Sequence, residues 1–318
     1  MLGNSAVKCF VTGGAGFIGS HLVDRLMAEG NYVTVFDNFS VGKMEFIKQH
    51  IKNKKFKLIQ ADLLDLGILK KSIIGHDVVF HLAANPEARL GIKNTELDLK
   101  QETIVTYNVL EAMRVNGIQK VVFSSSGTIY GETPSIPIPE NYGPALPISL
   151  YGAGKLASEG LVSAFCGTFG MQAWIYRFAN VVGSRATHGV IYDFINKLRQ
   201  NPVELEILGD GNQNKPYLHI EDCVDGMLFG LKNAHDKLNV FNLGCTTATN
   251  VNNIARMLTE EMGFNEVVFR YTGGDRGWPG DVPQFRCDVE KASKLGWKAK
   301  YTSDEAIRRA IREMLGKE

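Results

Sequence analysis

The stretch Thr12-Gly13-Gly14-Ala15-Gly16-Phe17-Ile18-Gly19 decides how the first half of the chain is read. It follows an apolar run, Val7–Thr12, that reads as a buried strand. It opens Ser20–Glu29, where Leu22, Val23 and Leu26 mark a helix. Two glycine registers fit at once: GxGxxG through Gly14, Gly16 and Gly19, and GxxGxxG through Gly13, Gly16 and Gly19. Such a turn uses glycine for tightness, for close approach of backbone to a pyrophosphate, and for packing helix on strand. The helix N-terminus then offers N–H groups and a partial positive charge to the phosphates. About 18 residues beyond Gly19, after the strand Tyr32–Phe36, stands Asp37, placed to accept from adenosine ribose hydroxyls. A carboxylate there repels a 2′-phosphate, so NAD is favoured over NADP. Asp62, after the strand Phe56–Gln60, has two readings: a contact to the adenine amino group, or a helix cap.

Outward from the turn, the alternation continues through strands Val78–Leu82, Val121–Ser124 and Trp174–Phe178. A long helical pattern, Thr95–Asn116, and a second helix, Tyr151–Phe169, lie between them. Strands alternating with helices predict an α/β fold, a Rossmann-type doubly wound parallel sheet covered on both faces. After Val182 the rhythm changes: helix Asp193–Arg199, strand Glu204–Leu208, helices Val251–Met262 and Glu305–Met314, and a loop at Gly273–Pro283. The expected division is an NAD-binding domain over 1–178, with 217–243 returning to it, and a smaller α+β lobe over 179–318 that binds substrate.

The 318 residues suggest about two domains. With 44% hydrophobic and 22% charged residues, the composition argues against disorder. Basic and acidic residues nearly cancel, at a formal charge of +1, which disfavours a nucleic-acid partner. No apolar run reaches membrane-spanning length, and the polar start Met1–Ala6 does not read as a signal peptide. Five scattered cysteines without a CxxC pair fit a reducing cytoplasm and predict no metal site. His81, between Phe80 and Leu82, reads as a satisfied core histidine.

Tyr151-Gly152-Ala153-Gly154-Lys155 places a phenol and an ammonium on one helix face. A phenol titrates near ~10, so lowering it by about 3 units needs about 4 kcal/mol of preference for the phenolate. The lysine cation and a positively charged nicotinamide ring both act in that direction. Upstream, Phe123-Ser124-Ser125-Ser126-Gly127-Thr128 puts serines at the end of a parallel strand, where such folds bind ligands.

These motifs together resemble the extended short-chain dehydrogenase/reductase family, the NAD-dependent sugar-nucleotide epimerases and dehydratases, and most closely the UDP-sugar 4-epimerases. TGGAGFIGSHL (Thr12–Leu22), HLAA (His81–Ala84), SSSGTIYGE (Ser124–Glu132), LYGAGK (Leu150–Lys155) and RFANVVG (Arg177–Gly183) carry the likeness, in the family's order. The resemblance implies Ser126 as the substrate-orienting serine, Tyr151 as base and Lys155 as its electrostatic partner. It implies tightly bound, recycled NAD contacted by Gly13, Gly16, Phe17, Ile18, Gly19, Asp37, Asn38, Ser40, Gly42, Asp62, Leu63, Leu82, Ala83, Ala84, Ser124, Tyr151, Lys155 and Phe178. It places the UDP-sugar against Ser126, Thr128, Asn180, Val190, Lys215, Tyr217, Arg276 and Asp281. For Arg276, a solvated loop charge is the second reading.

Departures from the family pattern narrow the expectation. Glu102 stands where an asparagine facing the cofactor is common, Pro86 where some epimerases carry lysine, and Lys215-Pro216-Tyr217 replaces Arg-Asp-Tyr. The 4,6-dehydratases carry Asp-Glu where this chain has Gly127 and Thr128, and UDP-glucuronate decarboxylases a glutamate at Thr128. The expectation is 4-epimerisation of a UDP-hexose, of glucose/galactose or N-acetylated type, through a 4-keto sugar. The resemblance places Phe285 at or near the position that limits room around the sugar's 2-substituent; Arg185 or Arg89 keeps a UDP-glucuronate 4-epimerase open. A different sugar-nucleotide oxidoreductase or dehydratase, and a non-catalytic dinucleotide sensor, are also compatible with the scaffold. The family further implies a homodimer through Thr95–Asn116 and Tyr151–Phe169; the same helix faces could instead be buried inside a monomer.

Overall fold

The computed structural model describes residues 6–134 and 136–318; the polar start Met1–Ser5 and Ser135 lie outside the described residues. Six strands lie within two residues of their expected limits: β1 (Lys8–Thr12), β2 (Tyr32–Asp37), β3 (Phe56–Gln60), β4 (Val78–His81), β5 (Lys120–Ser126) and β6 (Gln172–Phe178). Then come β7 (Asn180–Val182), β8 (Glu204–Ile207), β9 (Asn214–Lys215), β10 (Tyr217–His219), β11 (Leu238–Leu243), β12 (Thr249–Asn250) and β13 (Val268–Tyr271).

The helices of the first half are α1 (Phe17–Ala28), α2 (Leu66–Ser72), α3 (Leu90–Lys93), α4 (Glu96–Asp98), α5 (Val105–Val115) and α6 (Leu150–Phe169). Those of the second are α7 (Val190–Gln200), α8 (Ile220–Asn233), α9 (Val251–Met262), α10 (Glu290–Leu295) and α11 (Ser303–Met314). Helix α1 begins earlier than expected, directly after Gly16. The pattern Thr95–Asn116 is not one helix: α4 passes into a π turn, Leu99–Ile104, before α5.

Seven strands form one sheet in the order β3-β2-β1-β4-β5-β6-β11. The β1–β2, β2–β3, β1–β4 and β4–β5 pairs are parallel. Chain order reverses between β1 and β4, where Thr12 lies beside His81. Ligands of doubly wound sheets sit at that switch point, beyond the strand ends. His81 is 1% exposed, with its ring nitrogens 2.8 Å from Thr12 Oγ1 and 3.0 Å from Thr106 Oγ1. Burial lowers its pKa to about 3, so it is neutral.

Two compact units divide the chain. The first comprises the chain through Ser126, Leu150–Arg177 and Val224–Phe241; the second comprises Gly127–Ser149, Phe178–Cys223 and Asn242–Glu318. The chain's contacts group differently from an unbroken block 1–178. Gly127–Ser149 belongs to the second unit because its main chain is paired there: Ile138 N donates to Arg286 O at 2.9 Å, and Asp288 N to Ile138 O at 2.8 Å. The returning segment is also narrower than 217–243. Each unit has its own apolar core. Phe10, Val109, Phe123 and Ile175 sit in the first; Ile195, Leu205, Leu258 and Ile307 sit in the second. Among the described residues, no helix is long and apolar enough to cross a membrane.

Candidate active site

The glycines of the turn answer to different constraints. Gly13 has a φ of 68°, and a Cβ there would lie 2.7 Å from the Ala83 nitrogen. A Cβ at Gly14 would meet the Val35 side chain at 2.7 Å, and at Gly19 the Gly13 carbonyl oxygen at 2.0 Å. These three are dictated by packing. At Gly16 the nearest atom is Gly13 O at 3.2 Å, and Gly16 caps α1 without a side-chain hydrogen bond. A bare cap leaves the first-turn N–H groups open to an anion. The cradle therefore fits a dinucleotide pyrophosphate.

Carboxylates organise the segment where the adenosine contacts were expected. Buried Asp37 accepts from Ala15 N at 2.9 Å and from Phe39 N at 2.8 Å, so it braces the glycine turn. Burial raises its pKa and the two N–H donors oppose the rise. Gly42 packs on the same carboxylate: a Cβ would stand 2.9 Å from Asp37 Oδ1. Asn38 donates to Asp62 Oδ2 at 2.9 Å, and Asp62 Oδ1 accepts from Leu64 N at 2.8 Å. The cap of α2 is Asp65, which accepts from Ile68 N, so the helix-cap reading of Asp62 is corrected. Ser40 N donates to Asn38 Oδ1. Leu63 packs its side chain in the first core. Phe17, Ile18, Leu82, Ala83 and Ala84 are half-buried.

Three consecutive serines end β5, each with a different partner. Ser124 Oγ donates to His81 O at 3.2 Å, tying β5 to β4. Ser125 Oγ donates to Glu159 at 2.5 Å, and Glu159 pairs with Arg177 at 2.7 Å. Ser126 hydrogen-bonds Tyr151. Tyr151 and Lys155 sit one turn apart on α6, with Nζ of Lys155 5.8 Å from the tyrosine ring centre and 5.1 Å from that of Phe123. The three expected catalytic side chains thus lie together in the first unit.

Local sequence pattern assigns Glu102 no task, and here it holds the lysine. Lys155 is 2% exposed and Glu102 1%; they pair at 2.9 Å, and Nζ also donates to Ser124 O at 2.8 Å. Burial pushes the Glu102 carboxyl up to about 7, with Lys155 opposing. Burial also drives the Tyr151 phenol well above its ordinary range; Glu102 adds to that and the Ser126 hydrogen bond opposes it. The glutamate in place of the family's asparagine was the available signal, but its partner lies 53 positions away in sequence, beyond the reach of local pattern.

In the second unit, Lys215 is ion-paired with Asp281, whose Oδ2 also accepts from Gly277 N at 3.1 Å. Arg276 pairs with Asp275 at 3.1 Å and with Glu132 at 3.0 Å, a partner the sequence did not suggest. It is therefore not a free solvated charge. Asn180 and Tyr217 are register partners of the parallel strands β7 and β10. Asn180 is exposed; Tyr217 is buried, which pushes its phenol up. Val190 begins α7. The Phe285 ring packs on Gly127, where a Cβ would come within 2.2 Å of it, and Thr128, half-buried, follows. Phe178, buried at the end of β6, belongs to this unit. Arg89 is held by Glu87 through two bonds of 2.8 and 2.7 Å, whereas Arg185 adopts a φ of 64°. His219, Glu221 and Glu313 are close enough to bind a metal, but Arg309 already pairs with both glutamates.

Residues 9–244 match the profile of the NAD dependent epimerase/dehydratase family. A protein of Methanocaldococcus jannaschii, provisionally named a UDP-glucose 4-epimerase, is 35% identical over 96% of this chain and 97% of its own length. A crystal structure of a UDP-galactose 4-epimerase superposes with a TM-score of 0.86 at 41% identity, covering 98% of this chain and 99% of that one. UDP-glucuronic acid decarboxylase 4 of Arabidopsis thaliana is 30% identical over 96% of this chain and 68% of its own.

Proposed function

The chain belongs to the NAD-dependent epimerase/dehydratase family, and from that premise we propose that it interconverts the C4 epimers of a UDP-hexose through a transient 4-keto sugar. One observation carries the choice of reaction. Ser126, Tyr151 and Lys155 are assembled, while Gly127 and Thr128 supply no second acid–base group for elimination or decarboxylation.

NAD, when bound, supplies a reversible hydride acceptor. Gly16 and the first turn of α1 would hold its pyrophosphate, Asp37 would accept from the adenosine ribose, and Asn38 and Asp62 would serve the adenine. Ser126 orients the sugar's 4-hydroxyl, and Tyr151 removes its proton and later returns it. An ammonium has three donors; Ser124 O and Glu102 take two of Lys155, which leaves one for the nicotinamide ribose. The keto sugar must present its other face before reduction, so the UDP has to stay anchored while the hexose turns. Arg276, Lys215 and Asn180 serve the diphosphate and Asp281 the ribose, with Tyr217, Thr128 and Val190 beside them. Phe285 on Gly127 narrows the room at the sugar's 2-position and favours plain glucose/galactose.

The same reading includes a cytoplasmic homodimer. The only charged residues of α6, Lys155 and Glu159, are buried, so its exposed positions, including Ala153, Ala157, Gly160 and Ala164, carry no charge. Leu99, Ile104 and Tyr107 are exposed on the neighbouring turn and helix. In the second reading, a UDP-glucuronate 4-epimerase, Arg185 or Arg89 pairs with the uronate carboxylate. Incubation with UDP-glucose, UDP-N-acetylglucosamine and UDP-glucuronate separately, without added cofactor, tests the proposal. The C4 epimer of UDP-glucose is expected. Net NADH formation, or no epimer from any of the three, contradicts it.

A further inference from the structure

Glu102 is built into the first unit from four directions. One carboxylate oxygen takes Lys155 Nζ at 2.9 Å; the other takes the Asn85 N–H at 2.9 Å from the loop after β4. Its main-chain carbonyl accepts from Thr106 Oγ1 at 2.5 Å and from Ser158 Oγ on α6 at 3.0 Å. Its own segment is the π turn, the kind of insertion that often marks a functional position. The approach of α6 depends on the residue before the lysine: a Cβ at Gly154 would stand 2.8 Å from Glu102 Cβ and 3.1 Å from Cγ. The glycine inside Tyr-Gly-Ala-Gly-Lys thus makes room for this one side chain.

We propose that Glu102 is the positioning residue for Lys155, and that its negative charge sets the pH at which Tyr151 becomes a base; this rests on the acid–base role given to Tyr151 above. A lysine beside a phenol favours the phenolate only while its charge is felt there. With a carboxylate 2.9 Å from the same nitrogen, most of that charge is cancelled as seen from Tyr151. A neutral amide in the same place would hold the ammonium without cancelling it. The other groups facing the pair do not restore the balance. On the turn before Glu102, buried Asp98 accepts from Asn85 Nδ2 at 2.8 Å, and burial raises its pKa. On β4, His81 is neutral; on α6, Glu159 is matched by Arg177; the end of β5 offers only serines. One cation therefore faces two buried carboxyl groups, whose protons are shared within the cluster.

Two measurements on the full chain test this. In the first, the pH profile of kcat is compared between wild type, Glu102→Gln and Glu102→Asn, with folding checked by cooperative melting. The acid limb should move to lower pH by about one unit in either variant, because the base loses a neighbouring negative charge; KM should be unchanged. In the second, carboxyl carbon NMR of the glutamate-labelled chain without ligands should show one resonance, absent from Glu102→Gln, that titrates near neutrality. An acid limb that stays or moves upward, a Glu102 resonance that remains at its protonated position above neutral pH, or failure of both variants to fold overturns the proposal. A wild-type chain that turns over no UDP-hexose overturns the function proposed above instead, since the carboxyl titration reads Glu102 without it.

Discussion

Lys155 and Arg276 are both cations held by carboxylates, in opposite surroundings. Lys155 and Glu102 are 2% and 1% exposed; the Arg276 side chain is 33% exposed, and its partner Glu132 is 49%. A buried pair is costly to break, because removing one member leaves the other charge uncompensated. An exposed pair contributes little and is screened by salt, so its guanidinium exchanges a carboxylate for a phosphate oxygen readily. Under the proposed function, chemistry falls to a fixed pair and binding to an exchangeable one.

The contrast can be broken at either end. Tyr151→Phe should lower kcat by about 10²–10⁴-fold with KM little changed, the range for a positioned acid–base group. Lys155→Met should also abolish most activity and, by leaving Glu102 unpaired, lower unfolding free energy by about 3–5 kcal/mol. Adding Glu102→Gln to it should restore the melting temperature and not the activity; restored activity would refute the role of the ammonium. Arg276→Ala should raise KM about tenfold at nearly constant kcat, with a KM less sensitive to salt than the wild type's. A fall in kcat alone would mean that Arg276 is no anchor. Phe285→Ala should improve kcat/KM for UDP-N-acetylglucosamine over UDP-glucose by about tenfold.

The last effect is on stability. The Glu102 carboxyl is raised from 4.5 to about 7, so the folded chain holds that proton where the unfolded chain has lost it. Its contribution is present below the unfolded value and is lost as pH rises through the folded one. Wild type should therefore lose melting temperature relative to Glu102→Gln between pH 4.5 and 7.

How legible these regions were follows from distance along the chain. The glycine turn, Asp37 and the Tyr151–Lys155 spacing are local, and the strands around them fall where apolar runs placed them. The π turn was hidden because its cause is tertiary: Glu102 O serves Thr106 and also Ser158, which lies on another helix. Periodicity alone reads Thr95–Asn116 as unbroken helix. Glu132 with Arg276 was likewise beyond local pattern, since the two lie far apart in sequence. The swap at Asp65 is subtler: Asp62 and Asp65 both suit a turn, and only the hydrogen bond to Ile68 N identifies the cap.

The most direct test uses purified wild-type chain and UDP-galactose in heavy water without added NAD. Mass and proton spectra of the nucleotide sugars are then read at equilibrium. A mixture of UDP-galactose and UDP-glucose with no carbon-bound deuterium is expected, since under the proposed function Tyr151 exchanges only hydroxyl protons and Gly127 and Thr128 supply no second acid–base group. Deuterium at C5, loss of water from the sugar, or recovery of UDP-galactose alone would contradict it.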